Sequence, residues 1–258
     1  MSDASSPTST PTPSPSAQDR TVGEAVAAVR ARGVFRRYGF HWALRGVDLE
    51  AVRGSIVALI GANGSGKTTL LKIIATGLRA TRGSVEVMGF DVAKDPEEVR
   101  RRVGLLSHYS YLYDELTALE NLRFAAEMYG CDAGAEALEG ALRSVGLLRV
   151  RDAFVRTFSS GMKKRLALAR ASLHRPQVVL LDEPYGALDT AGLEWVDRLL
   201  RAVPERGATA VVATHHVERV LPLAQRVVWL AEGRVAYDGE PAGLPSGARG
   251  MSEVWEEP

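Results

Sequence analysis

The sequence predicts an α/β fold in which a mostly parallel sheet, joined to an antiparallel β subdomain, carries an inserted helical lobe. Continuous apolar runs at residues 55–60, 177–181 and 209–214 have the length and composition of strands buried on both faces. Between the first and second runs, residues 95–170 mostly repeat apolar side chains at helical spacing instead. Strands that flank a helical block in this way are typical of a layered α/β domain.

Shorter strands are predicted on either side of these runs. Residues 34–38 and 44–51 read as two strands joined by a turn, and residues 84–88 alternate apolar and polar side chains like a further strand. Residues 226–237 predict a hairpin that turns at Gly233.

The predicted domain boundaries follow composition. Residues 1–30 are rich in Ser, Thr and Pro, which bury too little apolar surface to fold, so they predict a disordered tail. Residues 31–245 form one predicted domain with the helical lobe at about 95–170. Residues 246–258 are predicted to be a C-terminal tail.

Charge and cysteine content exclude several classes of protein. The net charge of +1 argues against a dedicated nucleic-acid binder, because such proteins carry a strong basic excess. The single cysteine, Cys131, cannot form an internal disulfide and fits a reducing compartment. No run of about 18 apolar residues occurs and the N-terminus has no apolar signal region, so any membrane part is expected on another chain.

A glycine-rich loop, GANGSGKTT, follows the first buried run and fits the pattern G-x-x-x-x-G-K-[ST]. Glycines let backbone amides curl around phosphate oxygens, Lys67 reaches the β and γ phosphates, and the Thr68 hydroxyl can ligate magnesium. A plain glycine-rich turn is the alternative, but this loop links a buried strand to a helix, as phosphate binding requires. The pattern predicts a P-loop NTPase core that binds ATP. The predicted nucleotide-binding residues are Gly61, Ala62, Asn63, Gly64, Ser65, Gly66, Lys67, Thr68 and Thr69.

An acidic pair completes the predicted site. The sequence VVLLDEP places Asp182 and Glu183 at the end of a buried strand. An acid at this point can hold magnesium, and the adjacent Glu183 is a candidate general base for the attacking water. Acid pairs also occur at strand ends as helix N-terminal residues, but the phosphate loop favours the functional interpretation. ATP and Mg²⁺ are therefore the predicted cofactors.

Further motifs resemble those of the ATP-binding-cassette (ABC) family of transporter ATPases. The segment FSSGMKKRLALAR at residues 158–170 resembles the family's signature motif and the helix after it. The acid pair follows, then GALD at residues 186–189, which resembles the D-loop. The sequence ATH at residues 213–215 resembles the switch-histidine region. The order and spacing match from about residue 34 to residue 239.

The resemblance implies that two copies pair head to tail around two ATP molecules. Each site would take its phosphate loop from one subunit and its signature residues, Ser159, Ser160 and Gly161, from the other. The ordinary interpretation of these small residues is a helix cap, and the same residues can both cap the helix and contact the ATP of the other subunit. Asp189 would organise the dimer interface.

The resemblance also assigns roles within one subunit. Glu183 would be the catalytic base, with Lys67 and His215 as the other catalytic groups, and His215 would contact the γ-phosphate and the water. Asp182 and Thr68 would hold magnesium. Tyr38 would stack on adenine, with a core or strand tyrosine as the alternative.

Three positions, in two motifs, depart from the family pattern. His108 stands where a glutamine would ligate magnesium, and an imidazole there can still form one hydrogen bond or ligate a metal. In the signature, Ser160 replaces a glycine and Met162 replaces a glutamine. The serine and the glycine most concerned with phosphate are kept, so activity is expected to survive.

The stretch from His108 through ELTALENLRF resembles the ATPase subunit of the haem exporter of cytochrome c maturation. Subunits of multidrug or polysaccharide exporters share much of it and remain alternatives. The resemblance implies a homodimer at the cytoplasmic face of the inner membrane, attached through an integral membrane permease that the lobe at residues 114–150 would contact.

Two other functions compete with transport. A soluble cassette acting on ribosomes or DNA is disfavoured by the near-neutral charge, by the single cassette and by the absence of a heptad stretch from the sequence. A cassette that binds ATP without hydrolysing it is favoured only by His108, because Lys67, Asp182, Glu183 and His215 are all present.

Overall fold

A computed structural model describes residues 27–107, 110–186 and 188–249 of the chain. The strands in chain order are β1 (Ala27–Tyr38), β2 (His41–Val52), β3 (Ile56–Ile60), β4 (Arg82–Val87), β5 (Phe90–Asp91), β6 (Val103–Leu106), β7 (Val178–Asp182), β8 (Thr209–Thr214), β9 (Arg226–Ala231) and β10 (Arg234–Gly239). The α-helices are α1 (Lys67–Ile74), α2 (Pro96–Arg102), α3 (Ala118–Tyr129), α4 (Ala135–Ser144), α5 (Ser160–Ser172), α6 (Thr190–Glu205), α7 (Val217–Val220) and α8 (Ser246–Arg249).

The strands form two sheets. The larger sheet has the order β10-β9-β3-β8-β7-β6, in which all pairs are parallel except the β10 edge. The smaller sheet, β2-β1-β4-β5, is antiparallel. This arrangement confirms the predicted α/β fold with an antiparallel β subdomain.

The central strand β3 shows why its sequence is apolar throughout. Val57 and Leu59 belong to the core shared with the smaller sheet and α1, whereas Ile56, Ala58 and Ile60 belong to the core on the opposite face, beside α6 and α7. All five side chains are at most 2% exposed. A strand covered on both faces loses the alternating pattern, so a continuous apolar run is what a central parallel strand requires.

The helical lobe has a core of its own, built from α3, α4 and α5. Leu122, Leu138 and Leu142 are fully buried there, together with Leu166 from α5. The start of α3 is fixed by a capping box, in which Thr117 accepts a hydrogen bond from the amide of Glu120 and the Glu120 carboxylate accepts one in return. The lobe therefore packs around its own core and contacts the sheet through α5.

Three element boundaries differ from the sequence-based expectation. The first strand begins at Ala27 and so includes residues that composition assigns to the disordered tail, because β1 pairs with β2 as far as the Ala27–Val52 register. Within the predicted helical block, Val103–Leu106 form the short strand β6 against β7. The predicted C-terminal tail begins as the short helix α8. The rest of both tails lies outside the described residues.

None of the helices in the described ranges combines the length and the apolar character that crossing a bilayer requires.

Close packing between the lobe and the sheet yields a stability prediction. A Cβ atom at Gly104, in β6, would lie 2.4 Å from the carbonyl oxygen of Ala171 in α5. Gly104→Ala is therefore expected to lower the free energy of unfolding by about 1–3 kcal/mol, since neither backbone can move aside. Urea denaturation of the purified chain measures this change.

Gly140 in α4 provides the matched control, because a methyl group added there would meet no described atom within 4 Å outside its own helix. Gly140→Ala is expected to raise the free energy of unfolding by about 0.5–1 kcal/mol through helix propensity. Equal unfolding midpoints for Gly104→Ala and the parent chain would contradict the close contact.

Candidate nucleotide-binding site

The glycine-rich loop runs from the end of β3 to the start of α1 and is closely packed by its neighbours. Gly61 and Gly66 have φ angles of 149° and 109°. A Cβ atom at Gly61 would lie 2.3 Å from the carbonyl oxygen of Leu230, and one at Gly66 would lie 2.6 Å from that of Ala43. Glycine is required at both positions for its backbone angle and for the space it leaves.

Lys67 points its ammonium group into this loop. The residue is 5% exposed, and its Nζ donates hydrogen bonds to the carbonyl oxygens of Gly61 at 2.6 Å and Ala62 at 3.1 Å. Burial lowers the pKa of Lys67, and the negative charges of Glu183 and Asp182 oppose that shift. A positive charge is thus held inside the loop, next to two carboxylates.

The acid-bearing strand meets the loop at Asp182. The Thr68 hydroxyl donates a 3.0 Å hydrogen bond to Oδ1 of Asp182, which is 3% exposed. Burial raises the pKa of Asp182, while the hydrogen bond from Thr68 works in the opposite direction. The start of α1 and the end of β7 therefore place a hydroxyl and a carboxylate oxygen in contact.

Glu183, directly after β7, is held by the end of β8. Its Oε2 accepts hydrogen bonds from the Thr214 hydroxyl at 3.1 Å and from the backbone amide of His215 at 3.3 Å. Nδ1 of His215 lies 3.0 Å from the same oxygen, and Nζ of Lys67 lies 3.8 Å from Oε1. The structure thus brings the three predicted catalytic side chains together.

These groups line a cavity of about 800 Å³ between the sheet and the helical lobe. Its wall also includes Ser107 at the end of β6, together with Ser160 and Lys164 from α5. The hydroxyls of Ser65 and Ser107 are buried and have no hydrogen-bond partner among the described residues. Sequence reasoning missed Ser107 and Lys164, because only the packing of β6 and α5 brings them to this wall.

The residues predicted to be nucleotide-binding fall in two groups. Asn63, Gly64, Ser65, Gly66, Lys67, Thr68 and Thr69 all line the cavity, whereas Gly61 and Ala62 contribute the carbonyls that hold Lys67. Tyr38, at the end of β1, is 44% exposed, and the guanidinium group of Arg36 lies 4.7 Å from its ring centre. Ala43, not Tyr38, lines the cavity on that side.

The predicted signature residues lie at the start of α5. Ser159 is the N-cap and accepts a hydrogen bond from the amide of Met162, while Ser160 begins the helix and Gly161 follows. Ser159 and Ser160 are exposed, and Ser160 also lines the cavity of its own chain. Asp189 caps α6 by accepting a hydrogen bond from the amide of Gly192 at 2.9 Å. Both caps have the ordinary helix-capping geometry.

Few of the described side chains around the cavity could ligate a metal ion. Across residues 27–107, 110–186 and 188–249, no cluster of three or more His, Cys, Asp or Glu side chains is arranged to hold a metal. His108, the predicted additional ligand, lies outside the described residues. One carboxylate and one hydroxyl are a donor set for a magnesium ion that takes its other ligands from phosphates and water.

Known proteins share this architecture. A family model for ABC transporters matches residues 44–186. The chain is 37% identical over 220 residues to the daunorubicin resistance ATP-binding protein DrrA2 of Streptomyces coeruleorubidus, covering 84% of this chain and 68% of that protein. It is also 37% identical over 238 residues to the sulfate/thiosulfate import ATP-binding protein CysA of Bordetella bronchiseptica, covering 90% and 64%.

A solved structure agrees with these relatives. The dimeric post-hydrolysis state of the ATP-binding cassette MJ0796, bound to ADP and Pi, superposes with a TM-score of 0.76 at 29% identity, covering 84% of this chain and 100% of that chain. Since the family model spans more than half of the chain and the phosphate loop and acid pair line one cavity, the chain belongs to the ATP-binding subunits of ABC transporters and is an ATPase.

Proposed function

We propose that two copies of this chain bind ATP between them and drive a separate membrane permease as the ATP is hydrolysed. The observation that carries this proposal is the convergence of Lys67, Asp182, Glu183 and His215 on one cavity, with the contacts described above. In such a site the buried ammonium group and the loop amides bind the phosphates, since both supply positive charge in a region of low dielectric constant.

Thr68 and Asp182 are the proposed magnesium ligands. Their oxygens lie 3.0 Å apart. Two neighbouring ligands of an octahedral magnesium ion, each about 2.0–2.1 Å from the metal, are separated by about 2.9 Å, so the pair fits this ion. When bound, the ion supplies charge that stabilises the phosphate oxygens during transfer.

Glu183 is the proposed general base. One carboxylate oxygen is held by Thr214 and the His215 amide, whereas Oε1 has no hydrogen-bond partner among the described residues. A carboxylate fixed through one oxygen can accept a proton from water through the other. His215, 3.0 Å from Glu183, is in place to orient that water and to contact the γ-phosphate.

The second subunit supplies the remaining contacts. Ser159 and Ser160 are exposed and Gly161 is half-buried at the positive end of α5, where backbone amides favour a phosphate of the opposing subunit. Asp189 begins α6 near this surface and is the proposed interface residue. The dimeric state of the MJ0796 cassette supports pairing of this kind. The stacking of Tyr38 on adenine is part of the same proposal, since this residue is 44% exposed and a flat ligand can cover its ring.

The helical lobe is the proposed contact for the membrane permease. A groove of about 880 Å³ lies beside α3, and its wall carries the exposed side chains of Tyr111, Tyr113, Phe124, Met128 and Tyr129. Met128 is 72% exposed. Contiguous exposed apolar side chains of this kind mark a surface that another protein covers. We therefore place the permease on this groove and the subunit at the inner face of the membrane.

We propose that the transporter is an exporter linked to haem and cytochrome c maturation. This rests on the resemblance of residues 108–124, within which Asn121 organises the preceding segment by accepting a hydrogen bond from the Tyr113 amide and donating one to its carbonyl. A drug exporter is the second candidate, because DrrA2 is a daunorubicin resistance protein.

The first prediction concerns Asp182→Asn. Because burial raises the pKa of Asp182 above its unfolded value, its ionised form opposes folding at neutral pH, and this effect fades as the pH falls through the raised pKa. The variant without nucleotide is expected to match or exceed the parent's unfolding free energy at pH 7.5. ATP at 100 times its dissociation constant should stabilise the parent by about 2.7 kcal/mol, and the variant should lose the part of this stabilisation that depends on Mg²⁺.

Thermal melts with ATP, with and without EDTA, test both parts. Asp152→Asn, which changes an exposed carboxylate, is the control and should behave like the parent. A less stable nucleotide-free Asp182→Asn chain, or unchanged stabilisation by Mg²⁺ and ATP, would contradict the assignment.

The second prediction concerns Glu183→Gln. Loss of the proposed base should reduce phosphate release by about 10²–10⁴-fold while ATP binding persists. With hydrolysis blocked, ATP should shift the chain to a dimer on size-exclusion chromatography. Glu194→Gln, at an exposed position on α6, should keep the parent's turnover. Parental turnover by Glu183→Gln would refute the role of Glu183.

The third prediction separates the two cargoes. A host strain carrying Glu183→Gln in the chromosome should lose covalently bound haem from its c-type cytochromes, as seen by haem staining, and keep its resistance to daunorubicin. Normal cytochromes together with increased drug sensitivity would favour the drug exporter instead. A strain with the parental sequence reintroduced at the same locus is the control.

A further inference from the structure

Lys164, in the second turn of α5, connects the helical lobe to the turn that carries Glu183. Its Nζ donates hydrogen bonds to the carbonyl oxygen of Glu183 at 2.9 Å and to that of Gly186 at 2.6 Å. Both acceptors belong to the turn after β7, and Glu183 and Gly186 line the same cavity as Lys164. Two bonds from one side chain therefore connect α5 to this turn.

The turn is held in an unfavourable backbone conformation. Glu183 has a φ angle of +49°, which residues other than glycine rarely adopt. It also precedes Pro184, and a following proline restricts the backbone further. Such a conformation is strained and persists only where the surroundings enforce it. The Glu183 amide donates to Ala213 of β8 at 2.8 Å, and Lys164 holds the carbonyl on the other side.

The ammonium group of Lys164 is partly withdrawn from water, which disfavours its positive charge. Burial lowers the pKa of the Lys164 ammonium group, and the negative charges of Glu183 and Asp182 oppose this shift. The ammonium group is thus kept near both carboxylates by backbone acceptors. The adjacent Lys163 makes a different contact, a 2.7 Å bond to Asp114 at the edge of the lobe.

We infer that Lys164 is a positioning residue for hydrolysis: it holds the Glu183 turn to the lobe of the same subunit, so the placement of the Glu183 carboxylate depends on where α5 stands. This inference rests on the proposed role of Glu183 as the base. It gives the lobe a direct mechanical connection to the catalytic turn within one chain. Lys67 and its loop carbonyls make their bonds without Lys164, so ATP binding does not require this connection.

The test compares Lys164→Met, Lys164→Arg and the control Lys94→Met. Lys164→Met removes both hydrogen bonds while keeping an unbranched side chain of similar volume. Its kcat for ATP hydrolysis should fall roughly 10- to 100-fold, because a displacement of about 1 Å in a catalytic group can have that effect. Its KM and its affinity for a fluorescent ATP analogue should stay within about threefold of the parent. Lys164→Arg, which keeps charge and donors, should recover most of kcat, and Lys94→Met, which changes an exposed lysine away from the cavity, should retain the parent's kcat.

The melting temperature of each variant is measured alongside. If Lys164→Met does not fold, Lys164→Gln replaces it, since its uncharged amide is one atom shorter and cannot reach both carbonyls; the same loss of kcat is expected. A folded Lys164→Met or Lys164→Gln chain with the parent's kcat, or an equal loss of kcat and ATP affinity, would overturn the inference. Failure of the proposed function looks different, because Glu183→Gln would then turn over like the parent.

Discussion

The site depends on one constraint: the ammonium group of Lys67 is buried and must be surrounded by acceptors. The carbonyls of Gly61 and Ala62 satisfy it locally, because they lie in the same loop. The carboxylates of Asp182 and Glu183 come from β7, which is separated from β3 by β8 in the sheet. The strand order of the parallel sheet therefore brings the opposing charges together, and the phosphate loop and the acid-bearing strand stabilise one another's ionised groups.

Glu183 is held by both layers of the molecule. The end of β8 provides its amide partner and two donors to its carboxylate, and α5 provides a bond to its carbonyl. Because α5 also packs against β6 at Gly104 and closes the core of the lobe, any shift of the lobe acts on this turn. The proposed permease groove lies on the same lobe, beside α3. Packed helices and a few hydrogen bonds would therefore connect the proposed permease contact to the Glu183 turn.

Prediction from sequence succeeded where burial alone decides the structure. The runs at residues 55–60 and 209–214 match β3 and β8 closely, because strands covered on both faces are apolar throughout. It was less accurate for β6 and the beginning of β1. A four-residue strand inside a helical block has too short a pattern to be distinguished, and pairing with β7 decides it. The first residues of β1 are ordered by their register with β2, which no local signal reveals.

The sequence by itself determined the phosphate loop, the acid pair and the family motifs, because each is a contiguous set of residues whose chemistry depends on local spacing. Only the tertiary structure decided that Thr68 meets Asp182, 114 positions away, and that Lys164 reaches the backbone of the Glu183 turn. It also decided that the ring of Tyr38 stands outside the cavity wall. Such contacts depend on strand order and helix packing, which are set by the whole core and leave no pattern in any one segment.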